Sequence, residues 1–330
     1  MTYTIISMHN SKPAVATETD LFCSAIIATI GRPSLSHAVE SVLQQNLPNR
    51  SFEVIVINDS GRPLPKADWQ VWKNVRIIST NQRERSVARN TGAAIAKGTY
   101  LHFLDDDDWL APGAYQSFFQ LSQTSDANWL YGITQLVDRQ HNSLIQLKHN
   151  LHGNCFVQAM SGEWIPLQAS LIERNTFLRI GGFSPFLTGP EDIDLLRRYL
   201  LEEELAETPN LVAYVIMGGI GSTTDYDQHP QASRQAREKL LEGPHIFRRM
   251  SVSAVNPFWR GHMLRVYLTS AVWNLGHRRF FGATSRIWSS MVTLLHAGTA
   301  VLTKDFWRAV LRPYASLTFE YGIQERRKQR

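Results

Sequence analysis

Four short apolar runs, at residues 24–30, 53–58, 75–79 and 100–104, are separated by stretches with the three-to-four-residue apolar period of helices. Strand and helix patterns in alternation specify βαβ units, whose crossovers force neighbouring strands to run parallel. The spacing predicts helices over 37–45, entered near Pro33, and over 85–97. Gly98 is expected to stop the second, because glycine tolerates the left-handed conformation a helix end requires. Beyond Pro112 the pattern predicts a short helix and then two extended runs, 129–137 and 144–147, suited to antiparallel pairing. Strands at 167–172 and 211–217, with a helix at 192–203, complete the body.

The fourth apolar run leads directly into four carboxylates, Asp105, Asp106, Asp107 and Asp108. Adjacent acids at a strand end repel one another unless a cation or hydrogen-bond donors neutralise them. Open α/β sheets bind ligands beyond the carboxyl ends of their strands, where these residues fall. All-oxygen ligands select a hard cation, Mn²⁺ or Mg²⁺, over zinc. A solvated turn capping the next helix is the competing explanation of such a run. A second acidic pair, Glu191 and Asp192, follows the glycine-containing loop GGFSPFLTGP (181–190) at the start of a helix. A carboxylate there is suited to accept a proton from an acceptor hydroxyl, although acids also settle at helix starts because they favour the dipole.

Taken in order, the motifs resemble those of family 2 glycosyltransferases. ATIGR (28–32) resembles the family's nucleotide-contact loop after strand one, which contributes Thr29 and Arg32 here, and ESVLQQ (40–45) resembles its first helix. VINDSG (56–61) is similar to the strand-two motif whose aspartate meets the base or ribose, which is Asp59. SVARNTG (86–92) resembles the helix start beside the nucleotide, with Arg89 a candidate phosphate partner. FLDDDD (103–108) matches the DxD motif, and GGF (181–183) followed by Glu191 and Asp192 matches the acceptor-side loop and base. The resemblance implies a GT-A fold: a Rossmann-like α/β domain, mainly parallel sheet with helices on both faces, here followed by a helical extension. It further implies an inverting transfer from a nucleotide-diphosphate sugar to a hydroxyl of a glycan or lipid-linked acceptor, in polysaccharide or glycolipid synthesis. Asp107 would ligate the metal, Asp105 and Asp106 would support metal and ribose, and Asp192 would be the base.

Two segments depart from the pattern. QASR (231–234) lacks the tryptophan of the processive QxxRW motif, so a non-processive enzyme is expected. GGIGSTT (218–224) lacks the GK[ST] ending of a P-loop; it is a candidate lid over the diphosphate, with His229 a candidate metal or phosphate ligand. A sugar nucleotidyltransferase would use a similar sheet and acids, but would carry a glycine-rich basic loop after strand one, where residues 28–32 hold one glycine and one arginine. A non-catalytic nucleotide-sugar-binding protein is the third alternative, against which Asp107 and Asp192 speak.

Charge divides the chain. Residues 1–244 carry 20 Lys/Arg against 26 Asp/Glu, a net of −6, whereas residues 245–330 carry 14 against 3, a net of +11. Three regions are therefore expected: a frayed segment 1–20 without the basic start and apolar run of a secretory signal, a catalytic domain 21–244, and a basic, aromatic helical tail 245–330. The tail's Trp259, Arg260, Arg265, Trp273, Arg278, Arg279, Arg286 and Trp288 suit an anionic membrane surface or a packed helical subdomain. No nucleic-acid motif accompanies them, so no nucleic-acid partner is expected. The uncharged stretch 287–303 spans 17 residues but includes several hydroxyl-bearing ones, which favours an interfacial or packed helix over a spanning one. Cys23 and Cys155 do not form a disulfide framework, and the expected location is cytoplasmic, peripheral at the inner face of the cell membrane.

Overall fold

The computed structural model describes residues 21–47, 51–80, 83–187, 189–217 and 229–311. The first third runs as β1 (Leu21–Thr29), α1 (Leu35–Leu43), β2 (Ser51–Asn58), a 3₁₀ turn over Asp68–Val71, β3 (Val75–Ser79), α2 (Arg85–Ile95) and β4 (Tyr100–Asp105). The next elements are β5 (Trp109–Leu110), α3 (Ala114–Thr124), β6 (Trp129–Val137), β7 (Ser143–Leu147), α4 (Phe156–Ser161), β8 (Ser170–Glu173) and α5 (Arg174–Arg179). Then come α6 (Glu191–Tyr199), β9 (Leu205–Ile216), α7 (His229–Leu241), α8 (Ile246–Ser253), α9 (Pro257–Gly276), α10 (Phe280–Ala297) and α11 (Lys304–Leu311).

Among the described residues nine strands form one sheet, ordered β3-β2-β1-β4-β8-β6-β9-β5, with β7 paired to β6. The β3, β2, β1 and β4 neighbours pair parallel, β4 and β6 both pair antiparallel with β8, and β6 and β7 form the expected antiparallel pair. Side chains on a strand alternate between faces, and here both faces are covered. Ile26, Ile55 and Ile57 face one layer with Ala88 and Ala93 of α2. Ala25, Ile27, Val54 and Val56 face the other with Val39 of α1 and Phe118 of α3.

Glycine shapes the first layer through space more than through conformation. Gly98 takes no left-handed φ, contrary to its expected role as a helix stop, and α2 ends earlier, at Ile95. A Cβ on Gly98 would lie 2.4 Å from the Cys23 carbonyl carbon and 2.5 Å from the Ser24 nitrogen, so the residue is needed for the close approach to β1. Likewise a Cβ on Gly92 would lie 2.4 Å from Ile26 Cγ2, and the missing side chain lets α2 sit down on the sheet.

Two strands depart from the expected ranges. The run at 167–172 begins as a 3₁₀ turn over Leu167–Ala169 and pairs only from Ser170. β9 starts at Leu205, six residues before the expected start at 211, and Thr208, Pro209 and Asn210 interrupt its pairing between Glu207 and Leu211. Proline cannot donate to a ladder, so it is accommodated at a bulge and hides the continuity of the strand. Cys23 and Cys155 are buried free thiols.

The helices after residue 244 share the core of the body. Ile246, Met250, Met263, Val266 and Tyr267 belong to the same buried cluster as Phe156, Met160 and Leu196. Arg249 donates to the carbonyls of Leu200 and Glu203 at 2.9 and 2.8 Å, and Ser253 Oγ accepts the Val157 N–H at 2.9 Å. Several basic tail residues serve packing: Arg260 donates to Ala297 O at 3.3 Å and Arg265 to Val310 O at 2.6 Å, both on terminal helix carbonyls, and Arg286 is buried. No helix among the described residues is long and apolar enough to cross a membrane.

Candidate active site

Three parallel strands end side by side. The register places Ala28 opposite Asp105 and Thr29 opposite Asn58, so the ends of β1, β2 and β4 bring Thr29, Asp59 and Asp105 to one edge. Beyond that edge lies a cavity of about 430 Å³. Thr29, Arg32, Asp59 and Arg89, the nucleotide-side candidates, line it. So do the acids of the 105–108 run and, from the start of α6, Glu191 and Asp192. His229 opens α7, but its side chain lies outside the described residues, as does the whole 218–224 segment.

The four consecutive aspartates have separate environments. Asp106 is buried; it accepts the Thr29 hydroxyl at 2.5 Å and pairs with Arg32, whose Nη1 also lies 3.6 Å from Asp107. Thr29 in turn accepts the Gly31 N–H at 2.9 Å, which fixes the loop after β1. Asp105 accepts from Arg89 at 2.6 Å and from Gln168 Nε2 at 2.8 Å. Burial acts to raise its pKa, but the charge and hydrogen bond of Arg89 outweigh it, and the carboxyl sits below its ordinary range. Asp108 accepts the Ile216 N–H of β9 at 2.8 Å, yet burial and the charges of Asp105 and Asp107 push its pKa well up. Burial and Asp105 likewise push Asp107 up to about 6.

One carboxylate oxygen each from Asp105, Asp107 and Asp108 lie within 4.8 Å of one another. Two of these three acids, Asp107 and Asp108, hold protons more tightly than usual because they are buried and face other carboxylates, and a cation relieves both penalties. The set therefore fits a hard divalent cation; it contains the expected Asp105 and Asp107 and adds Asp108, while the oxygens of Asp106 are turned to Thr29 and Arg32.

Arg89 joins the two acidic groups. Its guanidinium is buried, with Nη2 on Asp105 and Nη1 3.1 Å from Glu191 Oε1, and it lies 5.5 Å from the centroid of the Phe183 ring. The residue expected to meet phosphate thus has both terminal nitrogens engaged by carboxylates. Glu191 is also 3.6 Å from Arg85 and accepts the Gly189 N–H at 2.9 Å, so its charge is well compensated. Asp192 differs. Its carboxylate accepts the Ile193 N–H at 2.7 Å, and burial together with the Glu191 charge raises its pKa to about 6.

Two motifs distant in sequence are clasped by Asn90. Its amide donates to Phe183 O at 2.8 Å and accepts the Phe183 N–H at 3.0 Å. Gly182, at φ +60°, permits this: a Cβ there would meet Asn90 Oδ1 at 2.7 Å. Sequence reasoning passed over Asn90, Gln168, Arg85 and Asp108. Asp108 and Asn90 carried a signal, as members of the acidic run and of SVARNTG (86–92), whereas Gln168 sits in a segment that reads as apolar strand.

The chain belongs to the glycosyl transferase family 2, whose model matches residues 24–188. It is 31% identical over 182 residues to an uncharacterized glycosyltransferase of Haemophilus influenzae, covering 50% of this chain and 56% of that protein. It is 28% identical over 115 residues to the poly(ribitol-phosphate) beta-N-acetylglucosaminyltransferase TarP of Staphylococcus aureus, covering 33% of this chain and 35% of that one. The chain thus spans about half or less of the length of these relatives. Among solved structures, residues 1–349 of S. aureus TarS in complex with UDP-GlcNAc superimpose with a TM-score of 0.57 at 12% identity, covering 81% of this chain and 90% of that one. The expected GT-A fold, with a helical C-terminal region, is the fold of the protein.

Proposed function

We propose that the chain transfers a glycosyl residue from a nucleoside-diphosphate sugar to a hydroxyl of a glycan or lipid-linked acceptor, with inversion and without processivity. The observation that carries this reading is the Asp105–Arg89–Glu191 bridge, which ties an acidic cation site and a carboxyl of raised pKa, Asp192, into one cavity. Asp105, Asp107 and Asp108 are assigned to hold Mn²⁺ or Mg²⁺; bound there, the cation would neutralise the diphosphate as it leaves. Thr29, Arg32 and Asp59 are assigned to the nucleotide, with Asp106 fixing Arg32. Asp192 accepts the proton of the acceptor hydroxyl while the acceptor oxygen attacks the anomeric carbon from the face opposite the departing diphosphate. A group that binds protons near neutrality suits this task better than an ordinary carboxylate. Glu191 holds Arg89 and raises the proton affinity of its neighbour.

A relative in fold is bound to UDP-GlcNAc, which makes that compound the first donor to try. The test is release of nucleoside diphosphate from a panel of nucleotide-sugars in Mn²⁺ or Mg²⁺, with and without chelator. Turnover abolished by chelation and by Asp192→Asn supports the reading. Cation-independent turnover would remove the metal assignment, and donor binding without turnover in the presence of membrane extracts would leave a non-catalytic binding protein. Family membership weighs against a nucleotidyltransferase.

The chain is further proposed to work at the inner face of the cell membrane, held by its tail. Phe281, Trp288, Leu295 and Leu302 recur every seven residues along α10 and the turn that follows, and are 90%, 67%, 80% and 83% exposed. An apolar stripe in a region of net +11 suits an anionic leaflet, with the helix lying in the interface.

A further inference from the structure

A chain of hydrogen bonds behind the acidic run joins α3, β4 and the 3₁₀ turn at Leu167–Ala169. His102 of β4 is fully buried, with Nε2 3.0 Å from the Gln168 carbonyl oxygen and Nδ1 3.0 Å from the hydroxyl of Tyr115, itself fully buried on α3. A carbonyl oxygen only accepts, so Nε2 carries the ring proton. Burial pushes the His102 pKa down to about 4, which keeps the imidazole neutral, and its Nδ1 therefore accepts from the Tyr115 O–H. The chain has one direction, from Tyr115 through His102 to the main chain of Gln168.

The turn is pinned from other sides too. Leu167 is buried in one layer of the core and Ala169 in the other. The Ala169 N–H and the Ser170 hydroxyl both donate to the Pro166 carbonyl, at 3.1 and 2.9 Å. Gln168, half-buried between these two anchors, lines the cavity at the strand ends.

From there its side chain meets the cation set. Gln168 Nε2 donates to Asp105 Oδ2 at 2.8 Å while Arg89 Nη2 donates to Asp105 Oδ1 at 2.6 Å, so both oxygens of this carboxylate are engaged and its plane is fixed. The amide group of Gln168 also acts against the rise in the Asp108 pKa. An ionised carboxylate has about four lone-pair positions, which leaves two on Asp105 for a cation. The neutrality of the amide matters as well. A lysine or arginine at this place would supply positive charge in competition with the cation, whereas an amide orients the carboxylate without neutralising it.

We propose that Gln168 is a positioning residue of the cation site, a neutral donor that the turn holds against Asp105 so that the carboxylate is already oriented when the ion arrives. The proposal rests on the assignment of Asp105, Asp107 and Asp108 to a divalent cation. Hydrogen-bond partners of metal-ligating groups contribute about 10–100-fold in affinity, which sets the size of the effect.

The test titrates the full chain with Mn²⁺, alone and with UDP, and follows free and bound ion by electron paramagnetic resonance. Gln168→Met keeps the length of the side chain and removes the amide, whereas Gln168→Asn keeps the amide and draws it back by one methylene. Both are expected to weaken Mn²⁺ binding by about 10–100-fold and to change the line shape of the bound ion at full occupancy. Tm of the cation-free protein should change little, because Leu167 and Ala169 hold the turn. Parent affinity in either variant, or a lowered Tm with affinity and line shape unchanged, makes Gln168 a structural residue and overturns the proposal alone. Asp107→Asn separates that failure from failure of the cation assignment: if the parent binds no Mn²⁺ under either condition, or binds it as tightly after Asp107→Asn, the assignment falls and Gln168 falls with it.

Discussion

Arg89 reaches Glu191 across 102 residues of sequence, at 3.1 Å, and both side chains are nearly inaccessible to water. The pair fastens α2 to the start of α6, while the other arm of the same guanidinium fastens α2 to β4 through Asp105. Burying these charges is tolerable because the planar fork serves two carboxylates at once.

Removing that fork should leave two buried acids uncompensated. Arg89→Met is expected to cost about 3–5 kcal/mol, in the range for breaking a buried pair from one side. Arg89→Lys should recover part of the loss, because a point charge satisfies one acid but not both. Urea unfolding of the three proteins measures this, and a cost below about 1 kcal/mol for Arg89→Met would show the bridge to be structurally dispensable.

Asp192 gives a pH signature. Burial and Glu191 raise its pKa to about 6, so the carboxylate form that accepts a proton is lost as pH falls through that value, and turnover should fall with it. Asp192→Asn should reduce transfer by about 10²–10⁴-fold and remove this acid limb from any residual rate. Linkage adds a second readout. A carboxyl whose folded pKa exceeds its unfolded one destabilises the fold once ionised, so Asp192→Asn should melt higher than the parent at pH 8 and show no such gain below pH 4. A flat pH–rate profile from 5 to 8 would exclude Asp192 as the base.

Asp107 and Asp106 should respond differently despite being adjacent. Asp107→Asn is expected to weaken Mn²⁺-dependent donor binding at little cost to Tm, since Asp107 is 24% exposed. Asp106→Asn removes a partner of Arg32 and Thr29 and should lower Tm as well. Proton competition at Asp107, whose pKa is about 6, should make cation binding by the parent protein weaken below that pH. Isothermal calorimetry with Mn²⁺ and UDP at pH 5.5 and 7.5 provides the comparison, and equal affinities at the two values would contradict it.

Gly98→Ala should destabilise by about 1–3 kcal/mol through overcrowding, because the new methyl meets main-chain atoms of β1 and not a movable side chain. Were its cost only that of a lost left-handed conformation, Asn would rescue it; the contact geometry predicts that Gly98→Asn is worse than Ala. Thermal unfolding of both variants distinguishes the two.

Membrane attachment should depend on the outward face of α10. Phe281→Ser and Trp288→Ser together are expected to abolish sedimentation with anionic liposomes without lowering Tm, since both side chains face solvent. High salt should weaken binding of the parent chain. If the parent ignores anionic vesicles, the stripe serves a protein partner instead.

What the sequence revealed follows from what each feature depends on. Thr29, Asp59 and the acids at 105–108 were legible because they terminate apolar runs, and a parallel register carries strand ends to one edge. The individual fates of the four aspartates were not, since those depend on which donors arrive from β9 and the 3₁₀ turn at Leu167–Ala169. The start of β9 was masked by Pro209, and Asn90 looked like an ordinary helix residue because its partner, Phe183, is 93 residues away. In the tail, composition suited an anionic membrane surface and a packed helical subdomain equally; that Arg260, Arg265 and Arg286 are committed to packing only the placement of the helices could reveal.

The place of β9 in the sheet also sets how small a working piece of this chain can be. The stretch matched to the family ends at residue 188, before Asp192 and before the strand that fills the gap between β6 and β5. A fragment cut there would lose the proposed base and the backbone N–H that holds Asp108, and would present the length of β6 as a bare, apolar edge ready to pair with its neighbours in solution. A cut after residue 244 keeps those parts but strips Ile246, Met250 and Tyr267 from Phe156 and Met160. The smallest piece that keeps this shared core intact therefore extends through α9, well past the last residue that names the family.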